Sequence, residues 1–378
     1  MKVYKKAILP LGFKAAAVAC GIKKSGKPDL ALFYSEAPAK AACLFTANKF
    51  QAAPITVSKG HLKVNKEFRA VIVNSGNANA FTGDAGIRDA NDAAESLAER
   101  LGIKKESILV SSTGIIGRRL QVQKIKSALP GLVNSLSGPG IDEAKKAIMT
   151  TDTFSKEITA KFNIGGRKVT ICGIAKGAGM IAPNLATMLA FIFTDANIAK
   201  TALNRALKTA AEASFNCISV DGCMSTNDTV IILANAAAGN ILIDNAKNFT
   251  IFSGALNKVC LELAKLIVRD AEGASKFIKI AVSKAKNYAQ AKKGALAIAN
   301  SNLFKTAMYG ENPNFGRIVT AIGSSGICFD EKKLKINLSP LHKKEITVSV
   351  ALNSGDASAV VYTADLTPEY VRINAEYS

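Results

Sequence analysis

Three runs constrain the fold of this chain more than any other feature: "RAVIVN" at 69–74, "TMLAFIFT" at 187–194 and "DTVIILAN" at 228–235. Each is short, rich in β-branched and aliphatic residues, and apolar at consecutive positions. A strand with one wet face alternates apolar and polar, so such runs predict strands covered on both faces. Further strand-like runs lie at 107–112, 168–175 and 277–282. Between them the spacing predicts helices over 88–101, over 196–215 with Asp195 as N-cap, and over 255–271, ending near Gly273. The tail reads as strands at 343–353 and 358–366, with Ser354, Gly355 and Asp356 forming a hairpin turn between them. Helices and covered strands are mixed without regular alternation. That order argues for an α/β layered architecture with antiparallel sheets rather than a doubly wound parallel sheet.

With 378 residues the chain suggests two or three domains, and 48% apolar against 21% charged residues is enough to bury large cores. The N-terminal lysines and apolar run superficially resemble a signal peptide, but Pro10, Gly12 and Lys14 break the run early. No other segment approaches the length of a membrane span, so a soluble, cytoplasmic protein is expected. Seven scattered cysteines without a C-x-x-C pair fit reduced thiols rather than a disulfide framework or a zinc site. The net charge of +20 raises the question of nucleic acid. Only 10 of the 49 basic residues are arginine, however, and the lysines are dispersed in pairs without interleaved aromatics. Arginine is the residue suited to bidentate phosphate and base contacts, so the pattern fits a solvated lysine surface. Neither a dinucleotide-binding G-x-G-x-x-G after a strand nor a P-loop is present.

Chemistry is expected at the glycine- and asparagine-rich segments that end strands: 73–86, 111–119, 219–228 and 309–317. Taken singly, each also reads as an ordinary tight turn. His61 and His342 are the only histidines, and both look like exposed loop residues. A nucleophilic enzyme built from this sequence would need a base other than imidazole. Thr187 then draws notice, because a glycine-rich loop runs straight into a strand there, behind the small Ala186. A threonine made N-terminal by cleavage of the preceding bond is activated by its own α-amine. On residue type alone, a β-branched strand residue is the better reading of Thr187.

"KGAGMIAPNLATMLAFIFTDA" at 176–196 closely resembles the processing segment of the ornithine acetyltransferase family, the ArgJ family. The resemblance runs through nearly the whole chain. It includes "NSGNANAFTG" at 74–83, "SSTGIIG" at 111–117, "IMTTDTFSK" at 148–156, "VDGCMSTNDT" at 220–229, "RDAEGASK" at 269–276 and "YVRINAEYS" at 370–378. It implies an αββα sandwich of the self-processing N-terminal-nucleophile-like type, with a smaller C-terminal α+β domain at about 281–378. It also implies cleavage between Ala186 and Thr187 into fragments 1–186 and 187–378, with Thr187 as the acyl-carrying nucleophile. Thr113 and Gly114 match the family's oxyanion hole. Lys176, Glu272 and Asn374 match substrate-binding positions, as does one threonine of "MTTDT". Thr150 is preferred, with Thr151 and Thr153 as competitors.

Two departures stand out. The family commonly has a further hydroxyl residue beyond the tyrosine-serine end, so here Ser378 either takes that role or the contact is missing. The family's "DPNWGR" is "NPNFGR" here, with Asn312 and Phe315 in place of a carboxylate and an indole. The activity implied is transfer of acetyl from N2-acetyl-L-ornithine to L-glutamate, without metal or cofactor. Acetyl-CoA is an open second donor, α2β2 the expected assembly, and a related self-processing aminopeptidase or amidase the alternative.

Overall fold

The computed structural model describes residues 1–182, 188–244 and 246–376. Its strands are β1 (Lys2–Tyr4), β2 (Phe13–Val18), β3 (Leu30–Phe45), β4 (Phe68–Asn77), β5 (Ile108–Ile115), β6 (Lys156–Ile164), β7 (Arg167–Lys176), β8 (Leu189–Thr194), β9 (Thr229–Ala234), β10 (Phe277–Ala285), β11 (Lys335–Leu338), β12 (Glu345–Ala351) and β13 (Ala357–Ala364). The helices are α1 (Ala53–Val64), α2 (Gly83–Leu101), α3 (Val122–Asn134), α4 (Ile141–Ala147), α5 (Lys200–Glu212), α6 (Ala246–Arg269), α7 (Tyr288–Ala299), α8 (Asn302–Tyr309), α9 (Phe315–Gly323) and α10 (Pro368–Glu376).

Nine strands form one sheet, ordered β1-β6-β7-β8-β9-β3-β4-β5 with β2 added against β3. The long β3 lets this sheet turn back on itself. Its first residues, Leu30–Tyr34, pair with β2 and β4, its last, Lys40–Phe45, pair with β9, and the register shifts between Tyr34 and Ala39. Phe33, Val71 and Val73 from one half therefore pack on Ile174, Phe191, Phe193 and Leu233 from the other. The outer face of the β2–β5 half is covered by α2 and α3 through Ala94, Leu97, Ile125 and Leu129. The outer face of the β6–β9 half is covered by α5 and α6 through Leu203, Leu207, Val259 and Leu263. The result is helix, sheet, sheet, helix. Because both faces are covered, β8 and β9 are buried at every residue, which is why their sequences run apolar without alternation.

A second sheet, ordered β11-β12-β10-β13, carries its own core with α7, α8 and α9. Here the hairpin expectation fails. β10 lies between β12 and β13, parallel to the first and antiparallel to the second, so the turn at 354–356 joins strands that do not pair. Local turn chemistry signals a reversal, but which strand fills the gap is a long-range choice.

Two further expectations are corrected. Asp195 does not cap a helix: α5 starts at Lys200, and the Asp195 carboxylate accepts the backbone N–H groups of Thr170 at 2.8 Å and Leu11 at 3.3 Å. His61 is buried on α1, its Nδ1 2.7 Å from the Ile108 carbonyl oxygen, rather than on an exposed loop. All seven cysteines are free, and no described helix is long and apolar enough to cross a membrane. Among the described residues, no group of three His, Cys, Asp or Glu could hold a metal.

Candidate active site

β4 and β5 run parallel and end together, and Thr113 and Gly114 of β5, with Ala78 just past β4, form one wall of a cleft. Gly114 approaches the β4 backbone so closely that a Cβ there would lie 2.3 Å from the Gly76 carbonyl carbon, and its φ is +133°. No side chain fits at that place. The preceding Thr113 is buried, and the strand end beside it is tied down by Asn227, whose Nδ2 donates to the carbonyls of Ser112 at 2.8 Å and Ala78 at 2.6 Å.

The opposite wall comes from the end of β7. Lys176 is 2% exposed, and its Nζ donates to Thr150 Oγ1 at 2.7 Å and to Thr113 Oγ1 at 3.3 Å. Burial pulls its pKa down, and the Asp152 carboxylate 3.9 Å away pulls the other way. Glu272, just past α6, closes the rim. Its backbone N–H donates to Ala178 at 3.0 Å, and Gly179 lies so near that a Cβ there would be 2.2 Å from Glu272 Oε2. Asn374 on α10 donates to the same Oε2 at 2.9 Å.

Thr113, Gly114, Thr150, Lys176, Glu272 and Asn374 thus line one cleft. Thr151 lines it too, whereas Thr153 is bonded to Asp270 through both its N–H and its hydroxyl. Ala186, Thr187 and Ser378 lie outside the described residues. The flanks of the 183–187 segment are anchored. Asp221 accepts the N–H groups of Met180 at 2.6 Å and Ile181 at 2.9 Å, and Asp228 Oδ1 accepts that of Met188 at 2.8 Å. Leu189 pairs with Lys176 across the β7–β8 ladder.

Sequence reasoning missed Asp152, Asp228 and Asn227. Asp152 lies within "MTTDT", where a carboxylate set among hydroxyl residues was a usable signal. Burial pushes the Asp228 carboxyl well above its ordinary range, the Met188 N–H only partly opposing it. Its Oδ2 has no hydrogen-bond partner among the described residues. A second, wider cavity shares Thr150 with the cleft and is lined by Lys23, Lys24, Arg118, Arg119 and Lys124, with Glu376 at its edge.

Chemically, the cleft offers a hydroxyl and a close-packed backbone glycine suited to developing negative charge, a buried cation, and a carboxylate at the rim. The Arginine biosynthesis bifunctional protein ArgJ of Geobacter sulfurreducens is 46% identical over 97% of this chain and 98% of its own length. That of Caldanaerobacter subterraneus subsp. tengcongensis is 44% identical over 98% of this chain and 97% of its own length. The crystal structure of an ornithine acetyltransferase from Mycobacterium tuberculosis complexed with ornithine is 40% identical to this chain, covering 48% of it and 97% of the solved chain at a TM-score of 0.45. The family model of the ArgJ family matches residues 14–378. With that match over nearly its whole length, the chain belongs to the ArgJ family.

Proposed function

We propose that this chain is a self-cleaving acyltransferase that moves the acetyl group of N2-acetyl-L-ornithine to L-glutamate in L-arginine biosynthesis. One observation carries the reading: six residues from five separated parts of the chain line a single cleft. The names of the relatives, which place them in arginine biosynthesis, support the reading.

The proposed reaction begins with the chain itself. Thr187 Oγ attacks the Ala186 carbonyl, the acyl group shifts from nitrogen to oxygen, and water releases the ester. Fragments 1–186 and 187–378 result, the second including a C-terminal unit at about 281–378, and they assemble as α2β2. The new α-amine takes the proton of the Thr187 hydroxyl, which attacks the acetyl carbonyl of acetylornithine. Thr113 and the Gly114 N–H hold the oxyanion, a task for donors fixed in advance at a strand end. Lys176, Thr150, Asn374 and Ser378 bind substrate polar groups, and Glu272 faces an amino group. Ornithine leaves, glutamate enters, and its amine takes the acetyl from Thr187. The anchoring of Met188, the residue bonded to Thr187, next to the Lys176–Leu189 pair favours this assignment of the nucleophile. We place the reaction in the cytoplasm.

The cavity with five cations favours acetyl-CoA as a second donor, since its phosphates would meet Lys23, Lys24, Arg118, Arg119 and Lys124 beside Thr150. The test is direct. Purified protein should run as two bands in a denaturing gel and acetylate glutamate from acetylornithine. Thr187→Ala should stay a single chain without activity. Uncleaved wild-type protein with full activity would sink the terminal-amine mechanism. Hydrolysis of acetylornithine without transfer would instead indicate an amidase. Acetylation of glutamate from acetyl-CoA, weakened by removing Arg118 and Arg119, would establish the second donor.

A further inference from the structure

Behind the cleft lies a chain of charges out of reach of water. Lys156 is wholly buried, and its Nζ donates to Asp152 Oδ1 at 2.6 Å and to Asp270 Oδ2 at 2.5 Å. Asp270 also accepts the Thr153 N–H at 3.0 Å. Asp152 in turn reaches three parts of the cleft. Its Oδ1 accepts the Gly177 N–H at 2.7 Å, its Oδ2 accepts the Thr150 N–H at 2.9 Å, and that oxygen lies 3.9 Å from Lys176 Nζ. A buried ionic cluster gives a fold little that apolar side chains of the same volume could not give. Here each contact of Asp152 toward the cleft ends on a residue of the substrate site or on the loop that leaves it.

Lys176 is the end of this chain. An ammonium has three N–H donors and no lone pair, so Thr150 Oγ1 and Thr113 Oγ1 must both accept from it. The Thr113 hydroxyl proton is then free to point elsewhere, and an O–H whose oxygen accepts from a cation is a stronger donor. We infer that Asp152 is a positioning residue for acyl transfer: backed by Lys156 and Asp270, it holds the Lys176 ammonium against Thr113, so that the Thr113 hydroxyl donates more strongly to the oxyanion. Lys176 thereby contributes to the transition state through Thr113, beyond binding substrate. The inference rests on the acyl-transfer reading of the cleft.

The charged groups facing Lys176 are Asp152 from the segment between α4 and β6, Lys156 at the start of β6, Glu272 beyond α6, Asp228 before β9, and Lys23 from the segment before β3. Burial lowers the Lys176 pKa, Asp152 is the strongest group opposing that, and Lys156 adds to the lowering. Loss of the Asp152 charge therefore moves deprotonation of Lys176 to lower pH, and loss of the Lys156 charge moves it to higher pH.

The experiment follows kcat/KM for transfer from acetylornithine to glutamate, from neutral to alkaline pH, in wild-type protein and in the variants Asp152→Asn and Lys156→Met. A thermal melt on each variant checks that it folds. Asp152→Asn should lower kcat about tenfold or more, change KM less, and move the alkaline limb down by about one pH unit. Lys156→Met should move the same limb upward. A folded Asp152→Asn protein with an unshifted limb, or two variants shifting the same way, would reduce the cluster to scaffolding and overturn the inference. If Asp152→Asn does not fold, the limb of Lys156→Met decides: an upward shift supports the coupling and an unmoved limb refutes it. Wild-type protein unable to use acetylornithine would overturn the functional reading instead, and the two failures are thus distinct.

Discussion

Gly114 and Thr113 show how much one residue decides here. Adding a Cβ at 114 would drive it to 2.3 Å from the Gly76 carbonyl carbon, against backbone that cannot give way cheaply, and its φ of +133° is strained for any other residue. Gly114→Ala is expected to separate the ends of β4 and β5 and abolish activity, with a lowered melting temperature as the second readout. Thr113→Val keeps the shape and removes only the hydroxyl. On the proposed role as oxyanion donor its kcat should fall by about 10²–10³, with a modest drop in melting temperature because the buried Lys176 ammonium loses an acceptor. Asp228 gives a pH prediction. In the unfolded chain its carboxyl ionises near the ordinary value of about 3.9, whereas burial in the folded protein keeps it protonated to higher pH. The folded state therefore binds the extra proton in that window. Stability contributed by the group is full below the unfolded pKa and declines as pH rises toward the folded one. Asp228→Asn mimics the neutral acid, so its urea midpoint should fall less between mildly acidic and alkaline pH than that of the wild type.

Elements explain why most of this sheet was legible. β8 and β9 are apolar at every position, and sequence alone places them within a residue or two of 189–194 and 229–234. The longer β3 escaped notice because "EAP" at 36–38 interrupts it with exposed and half-buried residues where the strand passes from one half of the sheet to the other. A pattern that changes partners midway has no single period to detect. The packing it creates is measurable. Phe33 stacks on Phe191 and packs tilted against Phe193, with ring centroids 5.4 and 5.1 Å apart, and it is 1% exposed. Phe33→Ala should cost about 3–5 kcal/mol, read as a lower urea midpoint at unchanged m-value.

At the scale of the whole molecule, the cleft depends on α10, the last element in the chain. That helix buries none of its residues fully, yet Tyr370 Oη donates to Asp221 Oδ2 at 3.1 Å and Asn374 donates to Glu272 at 2.9 Å. The turn after α6 receives it through Gly273, where a Cβ would lie 2.5 Å from the Tyr370 nitrogen. Removing residues 368–378 should leave the layered core folded but raise KM about tenfold or more, the scale of one hydrogen bond to a charged group. Unchanged KM in the truncated protein would remove Asn374 from the substrate site.

The sequence by itself determined the layers and the kinds of residue available for chemistry. Covered strands must be apolar throughout, and two histidines narrow the choice of a base; both facts are local and survive in a one-dimensional record. Likeness of short segments to the ArgJ family added which residues to compare, among them Thr113, Lys176 and Glu272. Only the tertiary structure decided that these residues meet, that His61 is buried, that β10 separates β12 from β13, and that Lys156 and Asp270 stand behind Asp152. Each of those depends on which distant segments pack together. A buried charge is written in the same letter as a solvated one, and only its neighbours tell the two apart.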